Sequence, residues 1–270
     1  MSTIIARGGL WVVLLLALGC ASALQEPPPV AELGDGGNRP GGAVGTPTEI
    51  LAEADHAFAL RPDPAQVARA RSLFLEAAAV GEAPVGAYLG ASRAIAWLVE
   101  HEPDGERRKE LAIEGVQVGQ WCGRLFPEVV ECGYRLALAV GQQARERSST
   151  AVDGLDVMVE LLEGVIDADP ELDFAGGHRV LAVLLLRAPG WPTGPGDPEI
   201  ALEHARAAVE IAPDYPPNQL VLAEALAENG DQEAAVEVFQ RGIDLAKTGN
   251  GGPEAADWLA RAEKALADLL

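Results

Sequence analysis

The sequence predicts an all-α fold: a right-handed helical solenoid of about five helix hairpins closed by a C-terminal capping helix. Three observations carry that expectation. Aromatic residues make up only 5% of the chain, Ala is abundant and β-branched runs are short, a composition suited to closely packed helices. Two stretches, "EIALEHARAAVEIAP" and "EAAVEVFQRGIDLAK", superpose at a spacing of 34 residues, pairing Ala201, Ala205, Ala208 and Pro213 with Ala235, Phe239, Gly242 and Lys247. The same 4-then-3 spacing of small and bulky residues returns upstream at Ala70, Phe74 and Ala77, at Ala112, Val116 and Gly119, and at Met158, Leu162 and Val165.

The first element is a leader. Met1–Gly9 carries the single charge Arg7, and an apolar run from Leu10 to Leu18 follows that is short for a bilayer span. It ends in Leu16-Ala17-Leu18-Gly19-Cys20, which resembles the lipobox of bacterial lipoproteins. The resemblance implies a signal peptide over 1–19, cleavage before Cys20 and lipidation of that cysteine. An ordinary secretory signal cut near Ala21 or Ala23 is the competing reading. Ala21 after Cys20 favours sorting to the outer membrane, with the protein facing the periplasm. Residues 20–47 then form the lipidated cysteine and a Pro- and Gly-rich segment with few large apolar side chains. That composition predicts a flexible tether that buries nothing. No Gly-Lys-Ser/Thr follows its glycines, so a phosphate loop is disfavoured.

Residues 48–270 hold the repeats. First helices are expected at Glu49–Leu60, Val85–His101, Glu128–Arg147 and His178–Arg187, each followed by one of the spaced second helices. Leu222, Ala223 and Leu226 mark the first helix of the last hairpin, and Pro253-Glu254-Ala255 opens the cap. A 34-residue helix–turn–helix unit with small residues at these positions resembles the tetratricopeptide repeat. Small side chains let the two helices approach, and each hairpin's apolar face is covered by its neighbour. One interruption needs separate explanation: "APGWPTGPG", Ala188–Gly196, cannot be helix. Asp197-Pro198-Glu199 restarts the helix with an N-cap, a Pro at N1 and an acid in the first turn. The loop is therefore an ordered insertion on one edge of the stack, with Trp191 at its tip.

Charge restricts the partners. The chain has 41 Asp+Glu against 20 Lys+Arg, a formal net charge of −21. Such a surface repels phosphate backbones, so nucleic acid is disfavoured, and attachment to a membrane falls to the lipid alone. Cys122 and Cys132 flank Phe126-Pro127, read as a turn between helices. In an oxidising compartment they form either a disulfide or two buried thiols.

Side chains for chemistry are sparse. Asp167, Asp169, Glu171 and Asp173 alternate like a calcium loop, but Leu172 stands where such a loop needs Gly and Pro170 interrupts it. His56, His101, His178 and His204 match no metal-binding spacing, although His178 and His204 fall where one hairpin brings them together. No nucleophile elbow occurs. The reading is a binding protein that needs no cofactor, rather than an enzyme. Its candidate contact residues are Trp191, Asn218 and His178. Trp191 is either the plug of its own loop or an exposed anchor for a partner. Asn218, in the first turn of an inner helix, either caps that helix or bonds a ligand.

A longer resemblance covers the stretch from about Gly119 to Ala246. Gly177-His178-Arg179-Val180-Leu181, Ala188-Pro189-Gly190-Trp191-Pro192, Gly196-Asp197 and Asp214-Tyr215-Pro216-Pro217-Asn218 resemble the TatT family. These are tetratricopeptide lipoproteins associated with tripartite ATP-independent periplasmic (TRAP) transporters. The resemblance implies a periplasm-facing accessory subunit that docks the transporter's solute-binding subunit, takes a small-molecule ligand and forms homo-oligomers. A general envelope scaffold in outer-membrane assembly or maintenance is the alternative.

Overall fold

A computed structural model describes residues 22–33, 45–80, 82–147, 151–248 and 255–269. The leader 1–19, Cys20 and the Pro253-Glu254 start of the cap lie outside the described residues. Among the described residues eleven α-helices follow one another: α1 Pro47–Ala59, α2 Pro64–Ala78, α3 Val85–His101, α4 Gly105–Leu125, α5 Val130–Glu146, α6 Ala151–Ala168, α7 Leu172–Arg187, α8 Pro198–Ile211, α9 Pro216–Glu228, α10 Gln232–Lys247 and α11 Ala255–Leu269. Each packs on the next, giving five hairpins and a terminal helix. The chain is an all-α solenoid.

Close approach organises the stack. Ala54, Ala57, Ala70, Ala77, Ala87, Ala91, Ala201, Ala205, Ala208 and Ala235 are fully buried. Where a bulky side chain faces a helix, the opposing residue has no Cβ: a methyl built on Gly90 of α3 would lie 2.3 Å from the ring of Phe74 on α2. Gly141 faces Met158 in the same way, and Gly242 faces Leu220. Of the residues that mark the 34-residue period, Ala201, Ala205, Ala208, Ala235, Phe239 and Gly242 are buried at the helix interfaces, while Pro213 and Lys247 are exposed.

The odd-numbered helices form an inner layer, since α1, α3, α5, α7 and α9 also touch in succession. The even-numbered helices lie outside. The buried Arg71–Glu114 ion pair ties α2 to α4 there. Antiparallel hairpins give the stack two edges. The intra-hairpin edge carries the ends of the inner helices and the starts of the outer ones. There Asp63, Asp104, Asp197 and Asp231 each accept a backbone N–H as N-caps of α2, α4, α8 and α10, each such cap contributing about 1 kcal/mol. Gly230 turns α9 into α10 at φ +86°, a conformation that favours glycine.

The inter-hairpin edge is built differently. The Cys122–Cys132 disulfide joins the end of α4 to the start of α5 with Cα atoms 5.3 Å apart, so of the two states open to the pair the structure has the bonded one. Phe126 in the intervening turn packs on Tyr88 of α3.

One expectation needs correction. Residues 22–33 do not hang free. Ala23, Pro27 and Leu33 are buried, Trp121 donates its indole N–H to the Pro28 carbonyl at 2.8 Å, and Arg124 grips Glu26 with both terminal nitrogens. The Arg124 hydrogen bonds hold the Glu26 carboxyl below its ordinary pKa. A segment poor in large apolar groups docks here through small side chains, a carbonyl and one carboxylate. The cap also does more than close the end. α11 packs on α10 and α9, and Asp257 comes within 3.9 Å of His101 at the end of α3.

The interface argument is testable at Gly90. Gly90→Ala forces a methyl into the Phe74 ring and should lower unfolding stability by about 1–3 kcal/mol. Urea denaturation followed by circular dichroism reads it; an unchanged midpoint contradicts the packing described.

Candidate functional site

The second half of the solenoid contains a buried polar knot. Tyr134 of α5, Asp173 and Arg179 of α7 and Asn218 of α9 meet where the third, fourth and fifth hairpins join. The Tyr134 hydroxyl donates to Asp173 Oδ2 at 2.6 Å, and Arg179 Nη2 donates to the same oxygen at 2.7 Å. Arg179 Nη1 reaches the carbonyls of Asp173 and Phe174 and the Asn218 Oδ1. The Asn218 amide donates to the carbonyls of Phe174, Ala208 and Ala212. Burial is the main reason the Tyr134 phenol is pushed far above its ordinary pKa, so it stays a neutral donor.

The knot holds an unusual backbone. Asp173, Phe174 and Ala175 have φ of 51°, 57° and 63°, a left-handed turn at the start of α7. For residues with a Cβ this costs about 1–2 kcal/mol each, and the arginine and asparagine contacts to its carbonyls offset the cost. Gly176 is required beside it, since a Cβ there would sit 2.5 Å from the Tyr134 oxygen. The right-handed part of α7 runs from Gly176, within two residues of the start expected at His178, with the left-handed turn ahead of it. The acidic run read against a calcium loop also resolves here, with Asp173 committed to Arg179 and Tyr134.

The turn projects Phe174 outward. Its side chain is 58% exposed and stacks on Tyr215 with centroids 4.6 Å apart. Arg179 lies 5.0 Å over the Tyr215 ring, and Trp258 of α11 meets that ring at 6.0 Å. Phe174, Tyr215 and Trp258 thus make an aromatic ledge at the inter-hairpin edge, held by a rigid polar support. Cations, apolar groups and proline rings suit such a surface.

The residues singled out from sequence fall in three places. Asn218 is fully buried with its amide spent on α8 and the left-handed turn, so it neither caps α9 nor faces a ligand. His178 meets His204 across the fourth hairpin, with the two Nδ1 atoms 2.9 Å apart. One ring donates and the other accepts, which requires at least one to be neutral. Burial, aided for His178 by its partner, holds both below the ordinary imidazole pKa. Among the described residues no group of three or more His, Cys, Asp or Glu is arranged to hold a metal. Trp191 is 90% exposed; it is not a plug.

The Trp191 loop is nonetheless ordered. Gly196 N–H donates to the Pro189 carbonyl at 2.9 Å, Asp197 N–H to that of Leu185 at 3.1 Å, and the Thr193 amide and hydroxyl both to Gly190. A Cβ at Gly196 would lie 2.2 Å from the Ala188 carbonyl. Tyr134, Asp173, Phe174, Arg179 and Tyr215 were not singled out as a site from sequence. The Gly176-Gly177 pair, uncommon inside a helix, was the available signal.

Fold and site together define an α-solenoid with two projecting aromatic features. Comparison with known proteins goes no further, since no family model and no curated protein matches the chain.

Two outcomes follow. Asn218→Ala removes the amide donor shared by the Phe174, Ala208 and Ala212 carbonyls and one acceptor of Arg179, and should lower stability by about 1–3 kcal/mol, read as a reduced urea midpoint at unchanged slope. The histidines give a pH dependence. Their folded pKa values lie below the ordinary 6.5, so just below that pH the unfolded chain binds more protons. Stability is then lost as pH falls through about 6.5. Thermal melts from pH 7.5 to 5.5 should show the decline, and His204→Phe should flatten it.

Proposed function

We propose that this chain is a periplasm-facing lipoprotein with tetratricopeptide-type repeats, anchored through Cys20, that acts as a binding subunit accessory to a TRAP-type solute transporter. One observation carries the reading. Some of the residues on which the TatT resemblance rests take part in the two projecting features. Arg179 and Asn218 belong to the polar knot and Tyr215 to the ledge, while Ala188–Pro192 and Gly196-Asp197 make the Trp191 loop. Rigid supports beneath exposed aromatics suit recognition, where a partner's ordering cost is reduced by a preformed surface. The ledge is the surface on which the transporter's solute-binding subunit docks.

Crosslinking in intact cells followed by affinity purification tests this. The intact protein should bring down the solute-binding subunit of a TRAP transporter. Phe174→Asn, which tolerates the left-handed backbone and removes the ring, should lower that recovery at least tenfold without changing the melting temperature. Recovery of outer-membrane assembly proteins in its place favours the general envelope scaffold and overturns the transporter reading.

A further inference from the structure

We propose that the intra-hairpin edge of the solenoid lies against the membrane, with Trp191 inserted at the boundary between headgroups and acyl chains. The inference rests on the lipidation of Cys20 proposed above and concerns how that anchor orients the domain.

The first observation is where the N-terminal segment is held. Ser22 Oγ lies 3.3 Å from Asp153 Oδ2, and the Ala23 amide donates to the same carboxylate oxygen in the first turn of α6. Ala23 is buried over Gly154. From there the segment crosses the outer helices, through Glu26 and Pro28 on α4 to Leu33 in the core that includes α2. Ser22 is two residues from Cys20, a reach of about 7 Å. An acyl chain on Cys20 therefore leaves the protein beside the start of α6, not at the end of a long leash.

The second observation is what shares that edge. The α6 start belongs to the third hairpin, and the Trp191 loop is the intra-hairpin turn of the fourth; antiparallel packing of α6 on α7 puts both on one edge. The loop runs uncharged from Ala188 to Gly196 in a chain of net charge −21. Ile200, 45% exposed, follows in the first turn of α8. The nearby Arg187 is paired with Glu224, and the N-caps of this edge are aspartates, so the contact is with the uncharged loop and neutral lipid rather than with anionic headgroups. A neutral, hydrogen-bonded loop that presents an indole suits the interface, where tryptophan's apolar body and N–H are both accommodated. A lipid anchor gains hold from each additional inserted apolar group. The same orientation turns the aromatic ledge, on the opposite edge, away from the bilayer toward partners.

The test uses the protein as cells make it, purified in detergent and reconstituted into phosphatidylcholine vesicles with plain or brominated acyl chains. Mass analysis of the N-terminal peptide reads Cys20 acylation independently. The Trp191 signal is the emission of the intact protein minus that of Trp191→Ala; Trp97, Trp121 and Trp258 are part-buried and cancel. On an acylated chain that signal should shift to the blue and lose most of its intensity over brominated lipid. Equal emission over both vesicles on an acylated chain overturns the placement of Trp191 and leaves the lipoprotein reading standing. A chain without the acyl group overturns both. Loss of a protein partner in Trp191→Ala, with no brominated-lipid quenching in the intact protein, reassigns the loop to a protein pocket.

Discussion

The whole structure depends on how closely consecutive helices approach. At each interface the contact is made by Ala or Gly on one side, as with Gly90 beneath Phe74 or Gly141 beneath Met158. With larger residues the helices would separate and the apolar face of each hairpin would no longer be covered by the next. Because each hairpin completes its core only against its neighbours, the order along the chain becomes the order in space. That one constraint sorts the helices into an inner and an outer layer and creates the two edges.

The edges then differ for a reason of hydrogen bonding. Outer helices begin at solvent, where a short acidic side chain satisfies the free N–H groups, and Asp recurs there at positions 63, 104, 197 and 231. Inner helices α3, α5, α7 and α9 begin beside the preceding hairpin with no side-chain cap. Their starts are fixed instead by a disulfide, an aromatic packing contact or the Tyr134–Asp173–Arg179–Asn218 knot. Strain accumulates on that second edge because several hairpins jointly hold it, and the exposed Phe174 is its product.

The sequence was most informative where the signal is periodic. The 34-residue spacing, the small residues and the caps foretold the hairpins, and helices α1, α3, α5, α8 and α10 fall within a few residues of their expected positions. The Trp191 loop was legible because Pro and Gly forbid a helix whatever surrounds them. The knot was not. Its members lie between 134 and 218 in the chain, and their types are unremarkable singly. Asn218 in a first turn reads as a cap until α8 is seen beneath it.

Sequence by itself determined the class of fold, the place of the Trp191 loop and the net charge, because these follow from local backbone preference and summed composition. Only the tertiary structure decided that Cys122 and Cys132 are bonded, that Trp191 stands in solvent, that Asn218 is sealed inside and that residues 22–33 are docked. Each of these depends on which distant surface a residue meets. A pattern of local preference carries no record of that, since a Pro-rich strand and a lone asparagine have the same sequence whether or not a partner lies across from them.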